Sequence, residues 1–209
     1  MKENIHTIKD AHIDWNCQGK FNFTTGHGAT RAESILANYA AFLAPVVLYF
    51  LSWQNLEWSL LQIAVASFLA IDMIGGVLTN SLGSMKRFLY SEQVLPQSMM
   101  AKLVKSKFVF PIIHFQIFLA PLCFDVTWGY AMFWYGMMIA SIVLIHVLPL
   151  YLHRPVALAI VMLAVMINQS AFMPLSGLEW LAPIYIIKLV LSHAVREEPY
   201  RPADNAANA

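Results

Sequence analysis

Asp72, His114 and Lys188 are ionisable residues set inside runs of apolar side chains. Such residues are expensive in an apolar helix, so each invites a functional reading. At 1.5 Å per residue, all three lie roughly 9–10 Å from the same end of their runs. A carboxylate, an imidazole and an ammonium at one level supply a base, a proton carrier and a charge that stabilises a developing anion. The levelling predicts that Asp72 and Lys188 face the bundle interior, near one another or near His114. An ion pair that merely fixes helix order would give the same pattern.

The seven histidines fall on one side of the chain's apolar runs. His6, His12 and His27 precede the first run, and His153 follows the fourth. His114, His146 and His193 sit inside or at the end of three different runs. With Asp72 they form a candidate metal set for zinc or iron, since neutral imidazole and carboxylate oxygen suit either ion. No HExxH, HxxxH or cysteine-pair spacing accompanies them. Gly75 and Gly76 follow Asp72, with Asn80 eight positions on. Asp72, Gly76 and Asn80 therefore share one helix face that offers a carboxylate, a gap and an amide. This face makes Asn80 a candidate catalytic residue with Asp72 and Lys188, and Gly76 a candidate substrate contact. Arg31 and Asn38, at the mouth of the first run, are candidate head-group contacts. Gly26-His27-Gly28 reads first as a plain flexible loop; its two glycines also permit an unusual backbone path that would carry His27 under the bundle.

Six runs of roughly 20 apolar residues must position these groups. They cover about 35–53, 58–78, 108–124, 127–148, 155–173 and 178–195. The composition agrees: 59% of residues are apolar, 12% are charged and the mean hydropathy is +0.59. A soluble domain carries about twice that charge fraction. A net charge of +1 provides no basic field for nucleic acid. The two cysteines, Cys17 and Cys123, make no disulfide framework. No apolar leader follows Met1.

Lysine and arginine cluster before the first run, between the second and third, at Arg154, and after the sixth; Lys188 is the exception. The short links at 54–57, 125–126 and 174–177 have none. Tryptophans sit at or beside these links, where an interfacial belt belongs. This pattern predicts an all-α, six-helix membrane bundle with both termini cytoplasmic. Residues 1–31 form an N-terminal segment, 32–198 the transmembrane domain with a cytoplasmic loop at 79–107, and 199–209 a mobile tail. Residues 96–105 read as a short helix that would lie on the lipid surface.

The leading functional expectation is an enzyme of the bacterial inner membrane. Its site would open to the cytoplasmic leaflet, act on a lipid or other apolar small molecule, and use a metal to activate water or dioxygen. In theme this is similar to the intramembrane zinc hydrolases related to alkaline ceramidases and adiponectin receptors, which use His and Asp from several helices. Their paired-His spacing and seventh helix are absent here. The alternatives are a proton- or ion-coupled transporter using Asp72, His114 and Lys188, a b-type haem protein ligated by His114 and His146, and a non-catalytic assembly factor.

Overall fold

The computed structural model describes residues 7–8, 10–19, 21–93, 98–172 and 175–203. Among the described residues, two short strands, β1 (Thr7–Ile8) and β2 (Ala11–Ile13), precede ten α-helices and a last strand, β3 (Tyr200–Pro202).

The capping box of Thr30 and Glu33 starts α1 (Arg31–Tyr39), which runs through a tight turn at Ala40–Phe42 into α2 (Leu43–Leu51). Ser59 and Gln62 form a second capping box for α3 (Leu60–Ser81), the central helix. Gly83 opens α4 (Gly83–Tyr90). Helix α5 (Met99–Lys105) stands at 93° to the following run, which holds α6 (Val109–Ile112) and α7 (Leu119–Cys123). Thr127 caps α8 (Trp128–Val147). Pro149 precedes α9 (Leu150–Ser170), and α10 (Leu181–Ile186) continues as a π-helix over Ile187–His193.

The protein is thus mostly helical. Among the described residues, four helical runs are long and apolar enough to cross a membrane: Arg31–Asn55, Leu60–Ser81, Trp128–Val147 and Leu150–Ser170. The bent run from Met99 to Cys123 makes a fifth if it counts as one crossing. The sixth expected run is a shorter apolar helix, Leu181–His193. It packs against α3 and α9, so its sides are covered by protein, and Leu181, Ala182, Tyr185 and Leu189 are wholly buried. Helix α2, by contrast, has no buried residue.

The polar end of the bundle is more ordered than the sequence suggests. Strand β2 pairs antiparallel with both β1 and β3, so the two ends of the chain meet in one small sheet. The expected mobile tail therefore begins as a strand. Arg201 Nε donates to Asp14 Oδ2 at 2.6 Å, and this pair pins the strand in place. Residues 204–209 lie outside the described residues, as do Lys2, His6, Lys9, Lys20, Pro96, Gln97, Met173 and Pro174, which figure in the sequence expectations.

The expected cytoplasmic loop contains α4, whose Lys86 and Arg87 are fully buried rather than solvated. Lys86 Nζ donates to Ser192 O and Val195 O, both at 2.6 Å, and so caps the free carbonyls that end the π-helix. Burial pushes its pKa down to about 8, against the opposing pull of Glu197. Arg87 donates to His27 O and Asp14 O, which draws the N-terminal segment beneath the bundle. At Gly26, φ is +73°, and an added Cβ would stand 2.4 Å from Ser84 O. Only glycine permits that approach.

The tryptophans at the opposite end are not a simple belt. Trp53 is buried, and it and Trp180 both donate to Gly177 O at 2.9 Å, tying two links together. Trp128 remains exposed.

Candidate functional site

Helix α3 and the π-helix build the site jointly. Ala194 N–H reaches back five residues to Leu189 O at 3.2 Å, the π register. Such segments are rare and recur at functional sites. Lys188 lies in the first π turn, with only 2% of its side chain exposed. Its stem lies against the backbone of α3 at Gly76, where an added Cβ would stand 2.3 Å from Lys188 Cε. Glycine at 76 therefore makes the space that the lysine stem occupies. One turn away on the same helix, Asp72 Oδ2 accepts from Lys188 Nζ at 2.8 Å. The carboxylate is 27% exposed, so it is the more accessible of the pair, although both line the cavity described next.

The pair forms the floor of a cavity of about 360 Å³. Gly75, Gly76, Thr79 and Asn80 continue the wall along α3, and His114 closes it from the α6–α7 run. His114 Nδ1 donates to Phe110 O at 2.6 Å, which leaves Nε2 as the ring nitrogen free to serve the cavity. Its ring packs on Phe110, which also stacks on His193 at 4.4 Å between centroids. Tyr185 Oη donates to His114 O at 2.7 Å and fixes the bend in which His114 stands. The mouth is formed by Phe23 and Thr24 from the N-terminal loop and by Asn38 and Phe42 from the first helical run. Phe23 and Phe42 are both exposed. Thr24 Oγ1 donates to Asn38 Oδ1 at 2.9 Å, so the loop and α1 form one rim.

Six of the residues singled out from the sequence thus share this cavity: Asp72, Lys188, Asn80, His114, Asn38 and Gly76. Arg31 does not. It is exposed on the first turn of α1, away from the cavity wall.

The four-residue metal set does not assemble. Among the described residues, no three His, Cys, Asp or Glu side chains come together to hold an ion. His146 Nδ1 donates to Ile142 O at 2.8 Å, and its ring packs on Phe108. His193 stacks on Phe110, whose ring also packs on His114. Asp72 is engaged by Lys188. Each candidate ligand faces a different neighbour.

The Gly26-His27-Gly28 loop is not the plain flexible loop expected: His27 is buried and packs on Phe21 and Phe88. It does not line the cavity. Asn168 Nδ2 donates to Glu179 O at 2.9 Å and so holds a link rather than a path.

Compared with protein-family models, curated proteins and solved structures, the chain matches none. The functional reading therefore rests on the cavity alone.

The sequence analysis missed Phe110 and the rim residues Phe23, Thr24 and Phe42. Aromatic residues are abundant here, and nothing in their spacing separates a cavity wall from a lipid contact. Thr24 had a usable signal: it stands just before Gly26-His27-Gly28, whose two glycines permit a path that folds inward.

Proposed function

We propose that the chain is an integral membrane protein that takes an amphipathic molecule sideways into the cavity and performs acid–base chemistry on its polar head. In this reading it crosses a bacterial inner membrane six times, with both termini cytoplasmic and the cavity opening to the cytoplasmic leaflet. The short last helix and the bent run then complete the six crossings, supported by the placement of the lysines and arginines. Membrane lipid is the first source of substrate.

One observation carries the reading: a buried, hydrogen-bonded ion pair floors a cavity whose rim is aromatic and exposed. An amphiphile fits both ends of that gradient, its head at Asp72 and Lys188 and its tail past Phe23 and Phe42. On helix geometry, Asp72 stands roughly 13 Å from the end of α3, within reach of a head group that dips below the interface. Asp72 is the base, Lys188 stabilises negative charge that develops near it, and Asn80 orients the head. His114 Nε2 serves as a second proton carrier. Asn38 and Gly76 shape the rim and the floor.

Transport has less support. Beyond the pair, towards the short links, the core holds Ala66, Leu69, Leu181 and Ala182, all apolar and closed. A proton or ion trail needs polar stations there.

The test is photo-crosslinking in nanodiscs with an amphiphile that carries a diazirine in its chain. Adducts are expected on α1, α3 and the rim loop, and Asn38→Trp, which plugs the rim, should remove them. Adducts spread evenly over the exposed face of α2, unaffected by the plug, would refute the reading.

A further inference from the structure

The polar head that this cavity accepts is restricted by charge. The argument rests on the proposed amphiphile site and adds the chemical class of its ligand.

Among the described residues, two formal charges line the cavity, Asp72 and Lys188, and they cancel at 2.8 Å. The remaining polar lining is uncharged: Thr24, Asn38, Thr79, Asn80 and His114. The imidazole donates from Nδ1 to Phe110 O, and no second carboxylate lines the cavity to balance a proton on it. The floor is therefore neutral and already paired.

An anionic head, a carboxylate or a phosphate, would have to draw Lys188 from Asp72 or leave one negative charge unbalanced at the floor. An ammonium head faces the mirror problem. Either outcome leaves a buried charge without a partner, which is far more costly than burying a satisfied neutral group. A hydroxyl, ester or amide head meets no such cost. The open edge of Asp72 accepts a hydrogen bond, Lys188 Nζ has N–H donors beyond the one given to Asp72, and the Asn80 side chain does both.

Volume adds a second bound. At about 30 Å³ per water-sized group, the cavity holds about a dozen non-hydrogen atoms. A head with a short stretch of chain fills it, and longer tails must stay outside the rim.

We propose that the ligand is an uncharged, hydroxyl- or amide-bearing amphiphile, such as a monoacylglycerol or long-chain alcohol, held by its head between Asp72, Lys188 and Asn80 with its tail in lipid.

The experiment uses the full chain in nanodiscs. It measures displacement of a fluorescent monoacylglycerol by four competitors of equal chain length: monoacylglycerol, carboxylate, alkyl phosphate and alkylammonium. For the wild type, monoacylglycerol should displace at least tenfold more effectively than any charged competitor. Asp72→Asn leaves Lys188 unpaired, so preference should swing to the carboxylate and phosphate. The double variant Asp72→Asn/Lys188→Met is neutral again and should return the preference to monoacylglycerol. If the wild type binds carboxylate or ammonium as well as monoacylglycerol, or if Asp72→Asn leaves the ranking unchanged, the charge restriction is wrong while the cavity remains an amphiphile site. If the fluorescent probe binds wild type and Asn38→Trp equally, the cavity reading itself fails.

Discussion

The Asp72–Lys188 pair should respond asymmetrically to its two single substitutions, because its partners are unequally buried. Lys188 is 2% exposed and Asp72 is 27% exposed. Asp72→Asn leaves the nearly buried ammonium in place with no counter-charge. Removing one partner of a buried pair costs about 3–5 kcal/mol, and this variant should fall in that range. Lys188→Met preserves the volume of the stem against Gly76 and leaves a carboxylate that faces the cavity. That carboxylate can take a proton or water, so the loss should be only about 1–2 kcal/mol. The double variant removes both charges and should lie within about 1 kcal/mol of the wild type. The singles and the double then form a cycle that departs from additivity by at least about 3 kcal/mol. Reversible unfolding in mixed micelles, read by tryptophan fluorescence, supplies the four numbers. Equal losses from the two singles, or a double variant equal to their sum, would refute the geometry from which the asymmetry is derived.

Three further predictions probe the scaffold. Gly76→Ala should cost about 1–3 kcal/mol and weaken amphiphile binding, because its Cβ would occupy the space of the Lys188 stem; Gly136→Ala, with nothing within 4 Å, should be neutral or stabilise by up to about 1 kcal/mol in the same unfolding assay. Gly26→Ala and Gly19→Ala both carry a positive φ, of +73° and +71°, at a cost of about 1–2 kcal/mol, but only the former strikes backbone at Ser84. Limited proteolysis should therefore release the N-terminal segment of Gly26→Ala far faster than that of Gly19→Ala. Lys86 has a folded pKa of about 8 against an ordinary 10.5, so between these values the unfolded chain binds more protons and stability rises with pH. The Lys86 contribution is full above about 10.5 and absent below about 8, a span of about 3 kcal/mol by linkage. Lys86→Met should lose that slope in a pH series of unfolding curves.

The cavity floor was largely legible from the chain because ionisable residues are conspicuous among apolar neighbours. Asp72 and Lys188 stand at one depth, and a buried charge needs a partner, so their contact follows from the physics of burial. The Asp72–Gly76–Asn80 face followed from helical spacing. Sidedness without azimuth misled the histidine reading: in sequence His114, His146 and His193 all lie toward the same side of their runs, yet each ring turns to its own carbonyl or to a phenylalanine. Helical periodicity cannot supply azimuth where the helix itself changes register, as it does over Ile187–His193. The polar end was opaque for another reason. Strands of two or three residues carry no periodicity, so the pairing of β2 with β3 leaves no trace in sequence. Lys86 and Arg87 looked like solvated loop cations because basic residues after an apolar run usually are. Their burial depends on carbonyls more than a hundred residues away in the case of Lys86.

The most direct measurement is a crystal structure grown from a monoacylglycerol mesophase, in which a neutral hydroxyl-bearing amphiphile surrounds the protein. The account predicts a single monoacylglycerol head at Asp72, Lys188 and Asn80, with its chain leaving between Phe23 and Phe42. A cavity filled only by water, or closed by Phe42 with lipid ordered elsewhere on the bundle, would contradict it.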